Sequence, residues 1–487
     1  MDETYIQDVK KKSIIGVATL IARTFFLQIV SLIAMFILTI LLSPSVFGIY
    51  YIVLAIINIL NYFADIGLAS ALIQKKDEPG SEDYKTTFTI QQLLVSVSVL
   101  IFLLLSESIG SFFNLTNEGI FLLRALLISF FLSSLKTIPS VILERKLEFG
   151  RKVVPQILEV LSFNIVTVFL AWRGFGLTSF AYAALVRGVV GVVAIYILSP
   201  WKLGFGISRS SARSLLSFGI PLQAGAILAL VKDDLLTIYL GKVIPIKAEI
   251  GYIGWAKRWS EVPLRQFMDN IIAVSFPVYS RIQHNKEVLR KALEKTTFFT
   301  ALFIFPGVVA MVILIKPVAL VIPGYFSKWQ FAFFSFYLLS VNAILASLSS
   351  PLVQALNALG KVKTTFILML VWTFLTWAII PILVSRLGFN GFAIGSFIIS
   401  LTAFLPIFLI RRYTPYSPIK PLLKPTIGTI IMALSMSIPL ATIGSSLFGV
   451  ILAIISGVTL YSLFIYKTSK AEVAPLFLQL IKTIKMR

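Results

Sequence analysis

The chain has 487 residues, 58% of them hydrophobic and 13% charged, with a mean hydropathy of +0.93; a soluble chain of that composition could not cover its own surface, whereas a bilayer asks only about 20 apolar residues per spanning helix. It holds no cysteine, which excludes disulfides and thiolate chemistry, and one histidine, His284, alone among basic loop residues and without the further ligands a metal needs. The net charge of +22 does not describe a nucleic-acid binder, because the Lys and Arg residues are scattered through short loops between apolar runs, with no contiguous basic face and no separate soluble domain.

Fourteen apolar segments follow in chain order, near 14–42, 46–74, 87–106, 119–143, 153–172, 176–199, 215–240, 249–280, 297–323, 330–359, 363–385, 390–411, 425–443 and 447–466. They predict an all-α polytopic membrane protein with about fourteen transmembrane helices. The first segment follows a polar start, Met1 to Lys12, and is longer than the apolar region of a cleaved signal, so it is expected to stay as a spanning helix. With the amino terminus in the cytoplasm, 29 of the 43 basic residues fall in cytoplasmic segments and 6 in outer loops. That asymmetry predicts a multi-pass protein of the cytoplasmic membrane with both termini inside. The same basic face attracts anionic lipid headgroups. Residues 467–487 mix Leu476, Phe477, Leu478, Leu480 and Ile481 with lysines and read as a helix lying in the cytoplasmic interface.

The two halves echo one another. Gly48, Tyr50 and Tyr51 are matched by Gly251 and Tyr252; Gly174, Phe175, Phe180 and Ala181 by Gly388, Phe389, Phe392 and Ala393; and the fourth segment carries Ser129, Ser133, Lys136 and Ser140 on one face as the tenth carries Ser347, Ser350, Gln354 and Asn357, a shift of 214 placing Ser133 on Ser347, Lys136 on Ser350 and Ser140 on Gln354. Six helices per repeat is an even number, so the repeats are parallel, related by an axis along the membrane normal. The expected organisation is two six-helix bundles, 1–200 and 201–412, around a central cavity, then two additional transmembrane helices within 413–466 and the tail.

Charges inside apolar runs single out candidate site residues, since each costs at least about 2.5 to 3.5 kcal/mol at the bilayer centre unless it faces something polar. The hairpin from Leu215 to Arg281 carries Lys232, Asp233 and Asp234 on one helix and Arg258, Glu261, Arg265 and Asp269 on the next. At 100° per residue the last four fall within roughly an 80° arc. In the second segment Asn58, Asn61 and Asp65 share roughly a 60° arc. Arg23 and Arg187 lie within the first and sixth segments, whereas Arg124, Lys136 and Glu159 stand close enough to helix ends to snorkel. One reading is structural: Glu261, Arg265 and Asp269 at intervals of four can form a salt-bridge ladder. The other is a water-filled route lined by Arg23, Arg187, Lys232, Arg258 and Arg265, cationic in character and suited to phosphate or carboxylate cargo, with Asn58, Asn61, Ser133, Ser347 and Gln354 as its polar lining. The two are compatible. Asp65, Asp233, Asp234, Glu261 and Asp269 are available either for structural pairing or for coupling to a H+ or Na+ gradient. No Gly-rich phosphate loop ending in Lys-Ser or Lys-Thr occurs, so no nucleotide cofactor is expected.

The stretch Leu42-Ser-Pro-Ser-Val-Phe-Gly-Ile-Tyr50, followed by Phe63-Ala-Asp-Ile-Gly-Leu-Ala-Ser-Ala-Leu-Ile-Gln74, resembles the early signature of polysaccharide transporters of the Wzx and teichuronic-acid-exporter type. These belong to the multidrug, oligosaccharidyl-lipid and polysaccharide exporter superfamily, with MurJ and the MATE proteins as relatives. Asp233 to Gly241 with Gly251-Tyr252, and Phe276-Pro-Val-Tyr-Ser-Arg281, are similar to the same family's segments, so the resemblance runs over essentially the whole chain. It implies a flippase, without catalytic residues, that moves a polyprenyl-diphosphate-linked oligosaccharide outward by alternating access for surface polysaccharide such as O-antigen, beside polymerase and glycosyltransferase machinery. It further implies a cationic cavity of the kind MurJ uses, with Arg23, Arg187 and Arg265 as counterparts in role. The chain departs from the family pattern in writing Lys232-Asp233-Asp234 where one acid is common. Two other functions compete. A cation-coupled small-molecule exporter should show an acidic, aromatic pocket, against which the basic surplus inside the helices speaks, and a membrane polymerase or glycosyltransferase a sizeable outer loop with catalytic residues, whereas the outer loops here are short.

Overall fold

The computed structural model describes residues 23–64, 67–75 and 77–485. Their secondary structure is helical, without a strand: α1 (Arg23–Leu41), α2 (Pro44–Ala64), α3 (Leu68–Gln74), α4 (Ser81–Leu104), α5 (Ser106–Phe112), α6 (Asn117–Ser134), α7 (Thr137–Arg145), α8 (Phe149–Trp172), α9 (Thr178–Leu198), α10 (Arg209–Val243), α11 (Lys247–Ile282), α12 (Lys286–Val321), α13 (Tyr325–Trp329), α14 (Phe333–Ala358), α15 (Val362–Leu387), α16 (Asn390–Ser400), α17 (Leu405–Arg411), α18 (Ile419–Thr442) and α19 (Leu447–Lys485). Side-chain caps mark several starts. Thr116 Oγ1 accepts from the Gly119 N–H at 3.3 Å to open α6, and Asn285 Oδ1 accepts from the N–H groups of Glu287 and Val288, both at 3.1 Å, to open α12.

Among the described residues 12 spans are long and apolar enough to cross a membrane, so the expected fourteen are not reached on length and composition. The two segments outside that set are α10 and α11, the hairpin of the sequence reading. They fold as helices of 35 and 36 residues, longer than the roughly 20 that a bilayer requires, but α11 carries Lys257, Arg258, Glu261, Arg265 and Asp269 through its middle. The basic tail is helical as well, set off from the last span by a break at Ser469 (φ −131°).

The chain forms two compact units that divide between Gly254 and Trp255, inside α11. In the first, α8 packs along α9, α9 against α6, and α10 against α2 and α3. Leu215 of α10 joins Leu68, Leu72, Phe88 and Ile138 in a buried cluster, which ties α10 to this unit. The start of α11 belongs here too, through a reciprocal contact with α2. A Cβ on Gly48 would lie 1.8 Å from Lys247 O, and a Cβ on Gly251 would lie 1.9 Å from Pro44 O. Each glycine therefore receives the carbonyl four residues before the other, and only glycine allows helix backbones this close. In the second unit α18 packs on α19 and α12, and α14 on α12 and α16, while Tyr279, Leu289, Leu352 and Tyr416 lie in one of its buried clusters.

Candidate functional site: a cationic pocket in the first unit

The fourth spanning segment is not one continuous helix. α6 ends at Ser134, α7 begins at Thr137, and Lys136 occupies the break, its N–H donating to Ser133 O at 3.3 Å. A helix broken at membrane depth is tolerated where it is buried in protein or lines a cavity. Lys136 Nζ donates to Glu159 Oε1 at 2.7 Å, and the two side chains are only 15% and 9% exposed. The sequence expectation that both would snorkel fails here, because each finds its counter-charge inside the protein at lower cost than reaching water.

Glu159 reaches this place because α9 leaves it room. A Cβ on Gly191 would stand 2.4 Å from Glu159 Oε1 and 2.8 Å from its Cγ. The buried face of α9 is built from Ala181, Ala184, Gly188 and Gly191, small residues that let α8 and α6 approach closely. One turn before Gly191, Arg187 brings Nε to 3.7 Å from the second carboxylate oxygen, Oε2, and holds its guanidinium over the Phe163 ring at 5.8 Å. Arg23 of α1 donates through Nη1 to Gln156 Oε1 at 2.5 Å and through Nη2 to Thr24 Oγ1 at 3.1 Å; its Nε is buried, with no hydrogen-bond partner among the described residues. Gln156 sits three residues before Glu159 and so on the same face of α8. Lys152, also on α8, is paired with Glu144.

Arg23, Lys136, Lys152, Arg187, Gln156, Ser140 and Glu159 line one pocket of about 310 Å3. Four cations stand against Glu159 within the lining and Glu144, which pairs with Lys152 from outside it, a surplus of two positive charges. Such a surplus can bind an anion with several oxygens through charge-assisted hydrogen bonds.

The other sequence candidates lie elsewhere. Asn58 Nδ2 donates to Asp234 Oδ1 at 3.0 Å, joining α2 to α10, while Lys232 Nζ stands 3.9 Å from Asp233 Oδ2. Asn61 donates within its own helix to Ile57 O at 3.0 Å. Asp65 lies outside the described residues. On α11, Arg265 meets Glu261 at 2.7 Å as one rung of the expected ladder, with Arg258 and Asp269 exposed on the same helix. Ser133 is half-buried beside the α6–α7 break; in the second unit Ser347 donates to Ile344 O at 2.6 Å and Gln354 Oε1 accepts from Asn357 at 3.5 Å. The residues that sequence reasoning undervalued are Lys136, Glu159, Lys152 and Gln156. Their signal was an acid on one helix facing a base on another, visible only once α8, α9 and the broken segment are packed.

Among solved structures, the chain is similar to the lipid II flippase MurJ in an inward closed conformation, with 18% identity, 93% of this chain and 100% of that chain covered, and a TM-score of 0.72. It is similar also to an inward-facing multidrug resistance MATE transporter of the MOP superfamily, with 18% identity, coverage of 79% and 95%, and a TM-score of 0.63. At such identities the likeness establishes the fold alone, an all-helical polytopic bundle. A family model described as polysaccharide biosynthesis protein matches residues 37–333, and the chain belongs to that family. Its curated relatives include the succinoglycan biosynthesis transport protein ExoT of Rhizobium meliloti, 23% identical over 67% of this chain and 65% of ExoT, so the match spans just under two thirds of that protein. The lipopolysaccharide biosynthesis protein WzxC of Escherichia coli is 24% identical over 80% of this chain and 79% of its own. The resemblance to Wzx-type transporters read from the sequence is thereby borne out.

Proposed function

We propose that this protein is a flippase that carries a polyprenyl-diphosphate-linked oligosaccharide from the cytoplasmic to the outer leaflet of the cytoplasmic membrane by alternating access, for surface polysaccharide assembly. The observation that carries the reading is the pocket lined by four cations, Arg23, Lys136, Lys152 and Arg187. A diphosphate supplies negative charge and several acceptor oxygens, which matches a surplus of two positive charges better than a neutral sugar or a cationic drug does. The relatives' names, in succinoglycan, lipopolysaccharide and lipid II pathways, support the same cargo class. In this proposal the halves 1–200 and 201–412 are the moving repeats, both termini and the 467–487 tail stay on the cytoplasmic side, and glycosyltransferases act before the flip and polymerase after it. Lys232 in the first unit, and separately Arg258 and Arg265 in the second, are further candidate cargo contacts, and H+ or Na+ coupling falls to Asp65, Asp233, Asp234, Glu261 or Asp269. The test is reconstitution into vesicles with a polyprenyl-diphosphate oligosaccharide labelled on the sugar. Transfer of label between leaflets well above that of protein-free vesicles, reduced in Arg23→Ala, is expected; transfer at the protein-free rate would refute the function.

A further inference from the structure

We infer that Glu159 is a tethered counter-anion: it holds the pocket's cations while the pocket is empty and is exchanged for a phosphate of the cargo when cargo binds. The inference rests on the cargo reading above and adds to it the device that sets affinity. One carboxylate engages two cations from two different elements, Oε1 with Lys136 and Oε2 with Arg187. That is the bridging arrangement a phosphate makes with two of its oxygens. The two contacts differ in tightness. Lys136 is held at 2.7 Å and mostly buried, whereas Arg187 stands at 3.7 Å with 48% of its side chain exposed, so it is free to turn toward an incoming anion. Gly191 gives the carboxylate its seat against the α9 backbone, so the tether is part of the helix packing.

The physical need for such a group is plain. Buried cations without counter-charges are costly, and a carrier that has released its cargo must cross the membrane again with an empty site. An intramolecular carboxylate meets that need at a high effective concentration. It also competes with cargo and so keeps binding weak enough for release. A diphosphate displaces it because it brings more charge and more oxygens to the same cations.

The test uses the purified full chain in detergent, titrated calorimetrically with inorganic pyrophosphate at low ionic strength, as wild type, Glu159→Gln and Gly191→Ala. Glu159→Gln is expected to bind pyrophosphate at least about tenfold more tightly, the equivalent of about one charge-assisted contact freed. Gly191→Ala keeps the charge but expels the carboxylate from its seat, and a smaller gain in the same direction is expected; it decides the question alone if Glu159→Gln does not fold. In vesicles both variants should turn over more slowly, because release is slowed. Unchanged or weaker pyrophosphate binding in the variants, with clear binding by wild type, overturns the counter-anion and leaves the phosphate site standing. Failure of all three to bind pyrophosphate overturns both.

Discussion

Replacing Lys136 by Met keeps most of the side chain's length and removes its charge, and two separable effects are expected. The first is on the fold. The ammonium is 2.7 Å from Glu159 and the pair is nearly buried; removing one member of such a pair costs about 3 to 5 kcal/mol, and the lower end applies because Arg187 still stands 3.7 Å from the same carboxylate. The second is on cargo. A charge-assisted hydrogen bond is worth about 1.5 to 3 kcal/mol, or roughly 10- to 100-fold in affinity. Glu159→Gln provides the background in which the two come apart, since no ion pair then remains to be broken. In that background Lys136→Met is expected to hold or raise the thermal midpoint, read from intrinsic fluorescence in detergent, relative to Glu159→Gln, because an ammonium left buried without its counter-charge is removed. It is expected to weaken pyrophosphate binding by roughly 10- to 100-fold. Equal affinity with and without Lys136 in that background would show that the lysine is only a structural partner of Glu159 and would refute its place in the site.

Gly48→Ala and Gly251→Ala should each destabilise the protein by about 1 to 3 kcal/mol or prevent insertion of a folded chain, because the added Cβ meets a backbone carbonyl that cannot move aside; midpoints equal to wild type would mean that α2 and α11 do not approach as closely as described. Arg145 donates through Nη1 to the carbonyls of Leu72, Ile73 and Lys75 at 2.7, 3.0 and 3.0 Å and through Nη2 to Asp77 O at 3.3 Å, closing the end of α3. Arg145→Ala should raise hydrogen exchange in the α3–α4 connection by about tenfold or more while leaving α12 protected, and unaltered exchange there would contradict the capping role. Arg265→Ala removes an ion pair whose arginine is 61% exposed, so stability should change by less than about 1 kcal/mol. Vesicle transport should nevertheless fall; full transport would remove the α11 face from the cargo route.

Hydropathy and charge made the helical architecture legible, because membrane-spanning helices announce themselves by length and apolarity and loops by their lysines and arginines. Arg23 and Arg187 were visible for the same reason, as charges deep in apolar runs. Lys136 and Glu159 were not. Counted along the sequence they stand near segment ends, and nothing in a linear pattern reveals that the fourth segment breaks at Lys136 or that Gly191 opens a seat for a carboxylate on the neighbouring helix. Gly48 and Gly251 illustrate a different limit. Read as an echo between repeats, they turn out to pack on each other, each against the other's preceding turn. Asn58 likewise looked like part of a polar stripe on α2, and instead its amide holds Asp234 of α10. Periodicity names a face of a helix, and only tertiary packing names its partner.

The central claim is that the diphosphate of the cargo sits among Arg23, Lys136 and Arg187, and the most direct measurement is a structure of the full chain in lipid nanodiscs with a polyprenyl-diphosphate oligosaccharide bound. Phosphate oxygens within hydrogen-bond distance of Lys136 Nζ and the Arg187 guanidinium, with Glu159 turned away from both, are the predicted result. Phosphate density elsewhere, with the Lys136–Glu159 contact intact, would contradict the account.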